Sequence, residues 1–167
     1  CKRDDADSRS SALASLSHAR RAAPRAPNLK AWEAWARLGS RDVPGALRAL
    51  GKPLKGEPAF LLGVRGETAL RSGDAASSVR YLSAAAKLRP VSPYLGALGL
   101  ARLEAGDAAG AARDLLAAVS RNGATAPYLK GLAGAQAALG RLSTARETAQ
   151  RALGLDSRDA ELQARMA

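Results

Sequence analysis

A chain of 167 residues, 47% of them hydrophobic, is long enough to bury a continuous core, and an aromatic content of 4% in an Ala- and Leu-rich background favours helix over strand. No apolar stretch approaches the roughly twenty residues that cross a hydrocarbon core, which excludes a membrane-spanning helix. The formal charge of +11 comes from 26 Lys and Arg against 15 Asp and Glu, scattered singly or in pairs from Lys2 to Arg165; this is the pattern of a solvated face and not of a nucleic-acid stripe.

Residues 1–24 read as a tether followed by a capping helix, in which Ala12, Leu16, Ala19 and Pro24 have the spacing of a second helix in a helical hairpin. Cys1 is the only cysteine, which rules out an internal disulfide and a Cys-based metal site. Its place at the head of a chain without an initiator Met has two readings. The leading one is the lipid-modified cysteine of a mature bacterial lipoprotein, left after signal-peptide removal; the other is a fragment boundary that falls on a Cys. His18 is the only histidine and has no second ligand-type residue at metal spacing, so a surface or packing role is expected.

Residues 25–58 form a degenerate repeat, with Trp32 and Trp35 on a first helix from Pro27 to Gly39 and Val43, Ala46, Leu47 and Leu50 on a second. Its small residues match the later register if about two residues are inserted after Gly39. The two tryptophans lie three apart on one helical face. Packing against a neighbouring helix is the expectation adopted for them, and an exposed binding anchor the alternative.

Three clearer repeats follow at residues 59–91, 92–125 and 126–157, and 158–167 are expected to form a C-terminal capping helix that covers the last of them. Gly39, Gly73, Gly106 and Gly140 recur at intervals of 34, 33 and 34 residues. Gly73 and Gly106 are followed by Asp. A glycine can adopt the left-handed conformation that closes one helix, and the Asp can cap the next, so each glycine marks an interhelical turn. Leu62, Leu95 and Leu129 stand at one offset from the last three turns, and Gly66, Gly99 and Ala133 at another. Beyond the turns, Ser78, Ala111 and Ala145 share one offset and Ala85, Ala118 and Ala152 a second. Small residues sit where paired helices must approach closely. Pro58, Pro93 and Pro127 lie at the starts of first helices, and Pro90 stops a second one.

At these residues the chain resembles the tetratricopeptide-repeat family, whose repeat of about 34 residues carries small residues at such places. The resemblance implies an all-α fold, a right-handed α-solenoid of antiparallel helix pairs. The chain departs from the pattern at Arg65, where the sister repeats have Leu98 and Leu132, and at Ala69, Arg102 and Gln136, where the family usually has an aromatic. Ala149 likewise replaces the bulky Leu82 and Leu115.

The resemblance also implies a concave wall, lined by first helices, that binds a peptide or helix. Carried over residue by residue, the wall contains Phe60, Val64, Glu67, Leu70 and Arg71 in the first clear repeat. The second contributes Gly96, Leu100, Leu103 and Glu104, and the third Lys130 and Gly134. The Lys, Asn and Arg clamp that some family members use on C-terminal carboxylates is absent, since Gly63, Glu67, Ala97, Lys130 and Gly134 occupy the matching places. The glycines on this wall either deepen it for a ligand or reflect drift and tight packing between helices.

No Ser-His-Asp or Cys-His set and no phosphate-binding loop of the GxxxxGK type is present, so neither an enzyme, a cofactor nor a small-molecule substrate is expected. The function expected is a non-enzymatic scaffold or adaptor for a protein or peptide partner. Its membrane contact is a lipid anchor on Cys1, conditional on acylation, at the periplasmic face of the bacterial outer membrane, and it resembles lipoproteins that assist assembly of pilus secretins and outer-membrane complexes. The alternative is an interaction module from a larger cytoplasmic regulatory protein. A second alternative, motivated by the charge, is a binder of nucleic acid or another anionic polymer.

Overall fold

The computed structural model describes residues 27–166 and, ahead of them, the helical residues 11, 14–16, 18, 19, 21 and 22. Cys1 and the tether expected before the first helix lie outside the described residues, and no strand occurs among the described ones. The chain divides into two compact units, 1–85 and 86–167.

The first unit contains α1 (Pro27–Gly39), α2 (Val43–Leu50), α3 (Ala59–Arg71) and most of α4 (Ala75–Leu88), whose last three residues lie past the unit boundary. Its core is drawn from α1, α2 and α3, as Ala31, Ala34, Leu38, Ala46, Ala49, Leu50, Leu61 and Val64. Alanines dominate because the helices of a hairpin, joined by a three-residue turn, lie too close for larger side chains on both faces. In the α3–α4 hairpin, Gly66 lies directly beneath Leu82, and the buried Ser78 hydroxyl donates to the Gly66 carbonyl at 2.9 Å.

The first turn is not where the glycine spacing puts it. Arg41, and not Gly39, adopts the left-handed conformation, with φ of 61°. The Asp42 N–H bonds to the Arg37 carbonyl at 2.9 Å, just as the Asp74 N–H bonds to that of Ala69 at 2.9 Å and the Asp107 N–H to that of Arg102 at 2.8 Å. Asp42 and Asp74 then cap the following helices, accepting the N–H of Gly45 at 2.8 Å and of Ser77 at 2.9 Å. Arg41 is thus the counterpart of Gly73, Gly106 and Gly140, at intervals of 32, 33 and 34 residues. The two-residue offset expected after Gly39 is real, but it moves α1 by two positions relative to the other first helices.

The second unit contains α5 (Ser92–Glu104), α6 (Ala108–Ala118), α7 (Ala126–Ala138) and α8 (Leu142–Met166). Ala111, Ala112, Leu115, Leu132 and Ala135 form its core cluster, with Leu100, Leu103 and Tyr128 half-buried against it. A five-residue π-turn, Val119–Gly123, follows α6 and absorbs the residue by which this repeat exceeds the previous one. Ser92 Oγ donates to the Ala118 carbonyl at 2.9 Å and ties the turn to the start of α5.

The capping helix expected at 158–167 is not separate, because α8 continues without a break to Met166. Asp156 and Ser157 had the composition of a helix start. Inside α8, however, the Ser157 hydroxyl donates to the Leu153 carbonyl at 2.9 Å, Asp156 pairs with Lys130 of α7, and no proline interrupts the helix.

Candidate protein-binding surfaces

The shift of α1 decides what its tryptophans do. Counted from Gly39, Trp32 and Trp35 would take the close-packing places of Gly66 and Ala69. Counted from Arg41, they take those of Val64 and Glu67, two of the expected wall residues. The structure follows the second count: Trp32 is 46% exposed and Trp35 57%. Packing as their main role is therefore corrected, and the exposed alternative describes them. They meet edge to face with ring centroids 5.8 Å apart, and Trp32 also tilts against Phe60 of α3 at 4.8 Å. Three rings from two adjacent first helices thus form one apolar surface on the first unit.

Fixed charges border this surface. Glu67 and Arg71 pair along α3 at 2.9 Å, and Arg71 Nη1 donates to the Leu38 carbonyl at 2.9 Å, which ties the end of α1 to the end of α3. Away from the rings, on the side of α1 that meets α2, Arg37 bridges Glu33 at 3.2 Å and Asp42 at 3.0 Å. Hydrogen bonding to Asp42 holds the Arg37 pKa above its ordinary value, and the Gly45 N–H followed by Arg37 holds Asp42 below its own. Leu70 is half-buried. Val64 is only 4% exposed; it belongs to the core cluster of α1, α2 and α3 and not to an open wall.

Arg65, the departure noted in sequence, is buried at the α2–α3 connection. Its guanidinium is buried and makes hydrogen bonds of 2.6 and 2.7 Å to the Glu57 carboxylate. It also donates to the carbonyls of Leu50, Gly51 and Lys52 at 2.8–3.1 Å. The connection from α2 to α3 is thereby fixed by one side chain. No cue in the sequence paired Arg65 with Glu57.

In the second unit the expected wall is largely consumed by packing. Gly96 is buried beneath the Tyr128 ring, and Gly131 beneath Leu100 and Leu115. Leu100 and Leu103 pack against the core cluster, and Leu103 lies over Gly134, which is itself exposed. Glu104 is exposed, and Lys130 is held by Asp156. The wall glycines therefore make room for neighbouring side chains within the fold, as the packing reading had it. Phe60, Glu67, Arg71, Glu104, Lys130 and Gly134 keep access to solvent, while Val64 and Gly96 are occupied.

Among the described residues no group of three or more His, Cys, Asp or Glu side chains could hold a metal ion, and no helix is long and apolar enough to cross a membrane. His18 is helical and exposed.

The sequence matches no protein-family model and no curated protein. The fold does match solved structures. TTC0263, a thermophilic TPR protein of Thermus thermophilus, superposes with a TM-score of 0.72 over 98% of this chain and 91% of its own, at 20% identity. MamA superposes with a TM-score of 0.74 over 96% of this chain and 95% of its own, at 16% identity. These likenesses, with the helix-pair repeats described above, place the chain in the tetratricopeptide-type α-solenoid fold class.

Proposed function

We propose that the protein is a non-enzymatic scaffold that holds a partner polypeptide against the ring surface of α1 and α3. The observation that carries this is the exposure of Trp32 and Trp35, 46% and 57%, on first-helix positions. Large aromatic rings left in water cost hydrophobic free energy, and such rings are the side chains that most often dominate protein interfaces. Phe60 gives the surface a fixed floor, and the Glu67–Arg71 pair gives it a polar rim. A partner segment with apolar anchors at helical or extended spacing fits it.

The test is capture of partners from the source organism's lysate by the intact chain and by Trp35→Ala, followed by titration of the partner recovered. Because Trp35 is exposed, its removal should change stability by no more than about 0.5 kcal/mol. An anchor residue should cost at least about 2 kcal/mol of binding, roughly thirtyfold. Equal binding by the variant would refute this reading.

The location expected from the sequence is part of the same proposal: acylation of Cys1 would tether the scaffold to the periplasmic face of the outer membrane. Mass spectrometry of the native protein, sought for a lipid adduct on Cys1, checks it. An unmodified cysteine would favour the cytoplasmic module instead.

A further inference from the structure

Along the sequence the cations are scattered, but the second unit gathers three of them at one place. Lys87 and Arg89 flank Leu88, the last residue of α4. Arg121, in the π-turn, donates from Nη1 to the Pro90 carbonyl at 2.7 Å and so stands against the α4–α5 connection. All three cations are exposed, and none has an ion-pair partner among the described residues. The stretches that meet here hold no Asp or Glu from 75 to 103 or from 115 to 146. Glu104 lies at the far end of α5, and Asp156 is taken up by Lys130. The positive charge of this corner is therefore uncompensated.

Two aliphatic side chains stand among these cations: Leu88 is 59% exposed and Val91 37%. The order Lys87-Leu88-Arg89 sets a cation on either side of the leucine, so whatever covers Leu88 must offer an apolar contact and an anionic one within a side chain's length. The same composition recurs at the α2–α3 connection of the first unit. There Leu54 is 67% exposed between Lys52 and Lys55, and the Glu57 carboxylate is taken up by Arg65. A nucleic acid would offer phosphates without an apolar layer, and no aromatic ring stands among Lys87, Leu88, Arg89, Val91 and Arg121 for a base to stack on. An anionic bilayer offers both layers, phosphates at the headgroup level and acyl chains beneath, and Lys and Arg reach the first while aliphatic side chains enter the second.

We infer that the α4–α5 connection and the adjoining π-turn form a contact for an anionic lipid surface. Leu88 and Val91 enter the headgroup layer, and Lys87, Arg89 and Arg121 meet lipid phosphates. The contact needs neither an acyl group on Cys1 nor the ring surface of α1 and α3.

The experiment is vesicle sedimentation of the full chain carrying Cys1→Ser, which removes the thiol that acylation needs. Vesicles of phosphatidylglycerol and phosphatidylcholine in equal parts should hold the chain at least about tenfold more strongly than phosphatidylcholine alone. Each Lys or Arg near an anionic surface is worth about fivefold, so Lys87→Glu with Arg89→Glu should weaken partition at least about 25-fold. Arg141→Glu with Arg146→Glu changes the net charge equally near the α7–α8 turn. The 13 residues of α7 put that turn about 20 Å from the π-turn, beyond the screening length of about 10 Å at 0.1 M salt, so this pair should weaken partition less than about threefold. Leu88→Ser keeps every charge and should weaken it more than about threefold. Because Cys1 is the only cysteine, Leu88→Cys in the Cys1→Ser chain takes a single environment-sensitive fluorophore. Its emission should shift to the blue on the mixed vesicles, and the same fluorophore on Ser143→Cys should not respond. The inference is overturned if both charge pairs weaken partition equally, if Leu88→Ser binds as the parent does, if Trp35→Ala abolishes vesicle binding, or if a duplex oligonucleotide displaces the chain from the vesicles and binds Leu88→Ser as tightly as the parent.

Discussion

Arg65 shows how one side chain can replace a stretch of core. Its sister positions hold Leu98 and Leu132, yet Arg65 is itself buried, pairing with Glu57 and bonding to three backbone carbonyls of the α2–α3 connection. Removing one member of a buried ion pair strands the other, so Arg65→Leu should destabilise the fold by about 3–5 kcal/mol in urea unfolding, although leucine suits the helix. The pH dependence separates this from a simple loss of packing. Burial alone would raise the Glu57 pKa, but the Arg65 hydrogen bonds and the Leu54 N–H outweigh it and hold the carboxyl below its ordinary value. A depressed native pKa stabilises the fold fully above the unfolded value of about 4.3, and that stability is lost as the pH falls through the native value. In Arg65→Leu only the Leu54 N–H and the charge of Lys30 still oppose burial, so the Glu57 contribution shrinks: the loss of stability on lowering the pH towards 4 should be smaller than in the parent. A variant with the same acid limb as the parent would show that Arg65 does not hold the Glu57 charge.

At the scale of elements, glycines that look alike in sequence have opposite roles. Gly66 in α3 and Gly154 in α8 both sit inside helices, where glycine costs about 1 kcal/mol relative to alanine. A Cβ on Gly154 meets nothing within 4 Å, whereas one on Gly66 would press into Leu82, itself only 1% exposed. Gly154→Ala should therefore stabilise the chain by up to about 1 kcal/mol, and Gly66→Ala should destabilise it by about 1–3 kcal/mol through overpacking, both read from urea midpoints. The same contrast explains what was legible beforehand. The helix pairs of 59–157 were readable because size pattern and turn chemistry agree there, with Gly73-Asp74 and Gly106-Asp107 each supplying both the left-handed residue and the cap. The first turn was not readable, because Arg41 takes the left-handed place without any composition that announces it. That offset of two residues also hid the candidate site, since it moves Trp32 and Trp35 out of the close-packed places of Gly66 and Ala69.

For the molecule as a whole, charge and aromatic exposure make competing claims on partners. A formal charge of +11 attracts any polyanion, and it is the one observation that favours nucleic acid as a ligand. The ring surface offers another mode: Trp32 and Trp35 are the only tryptophans in the chain and both lie on α1, so their fluorescence reports on that surface alone. The two modes respond differently to salt. Binding through phosphate contacts releases counterions and should fall by about 10³-fold or more between 50 and 200 mM salt when six or more contacts are made. Burial of rings against apolar side chains is screened very little, and its affinity should change by less than about tenfold over that range. The prediction is that a duplex oligonucleotide leaves the chain over this interval without moving the tryptophan emission, whereas the captured polypeptide stays bound and shifts it to the blue. A polyanion that survives 200 mM salt and shifts the same emission would instead make the aromatic wall a base-stacking platform, and the scaffold reading would fall with it.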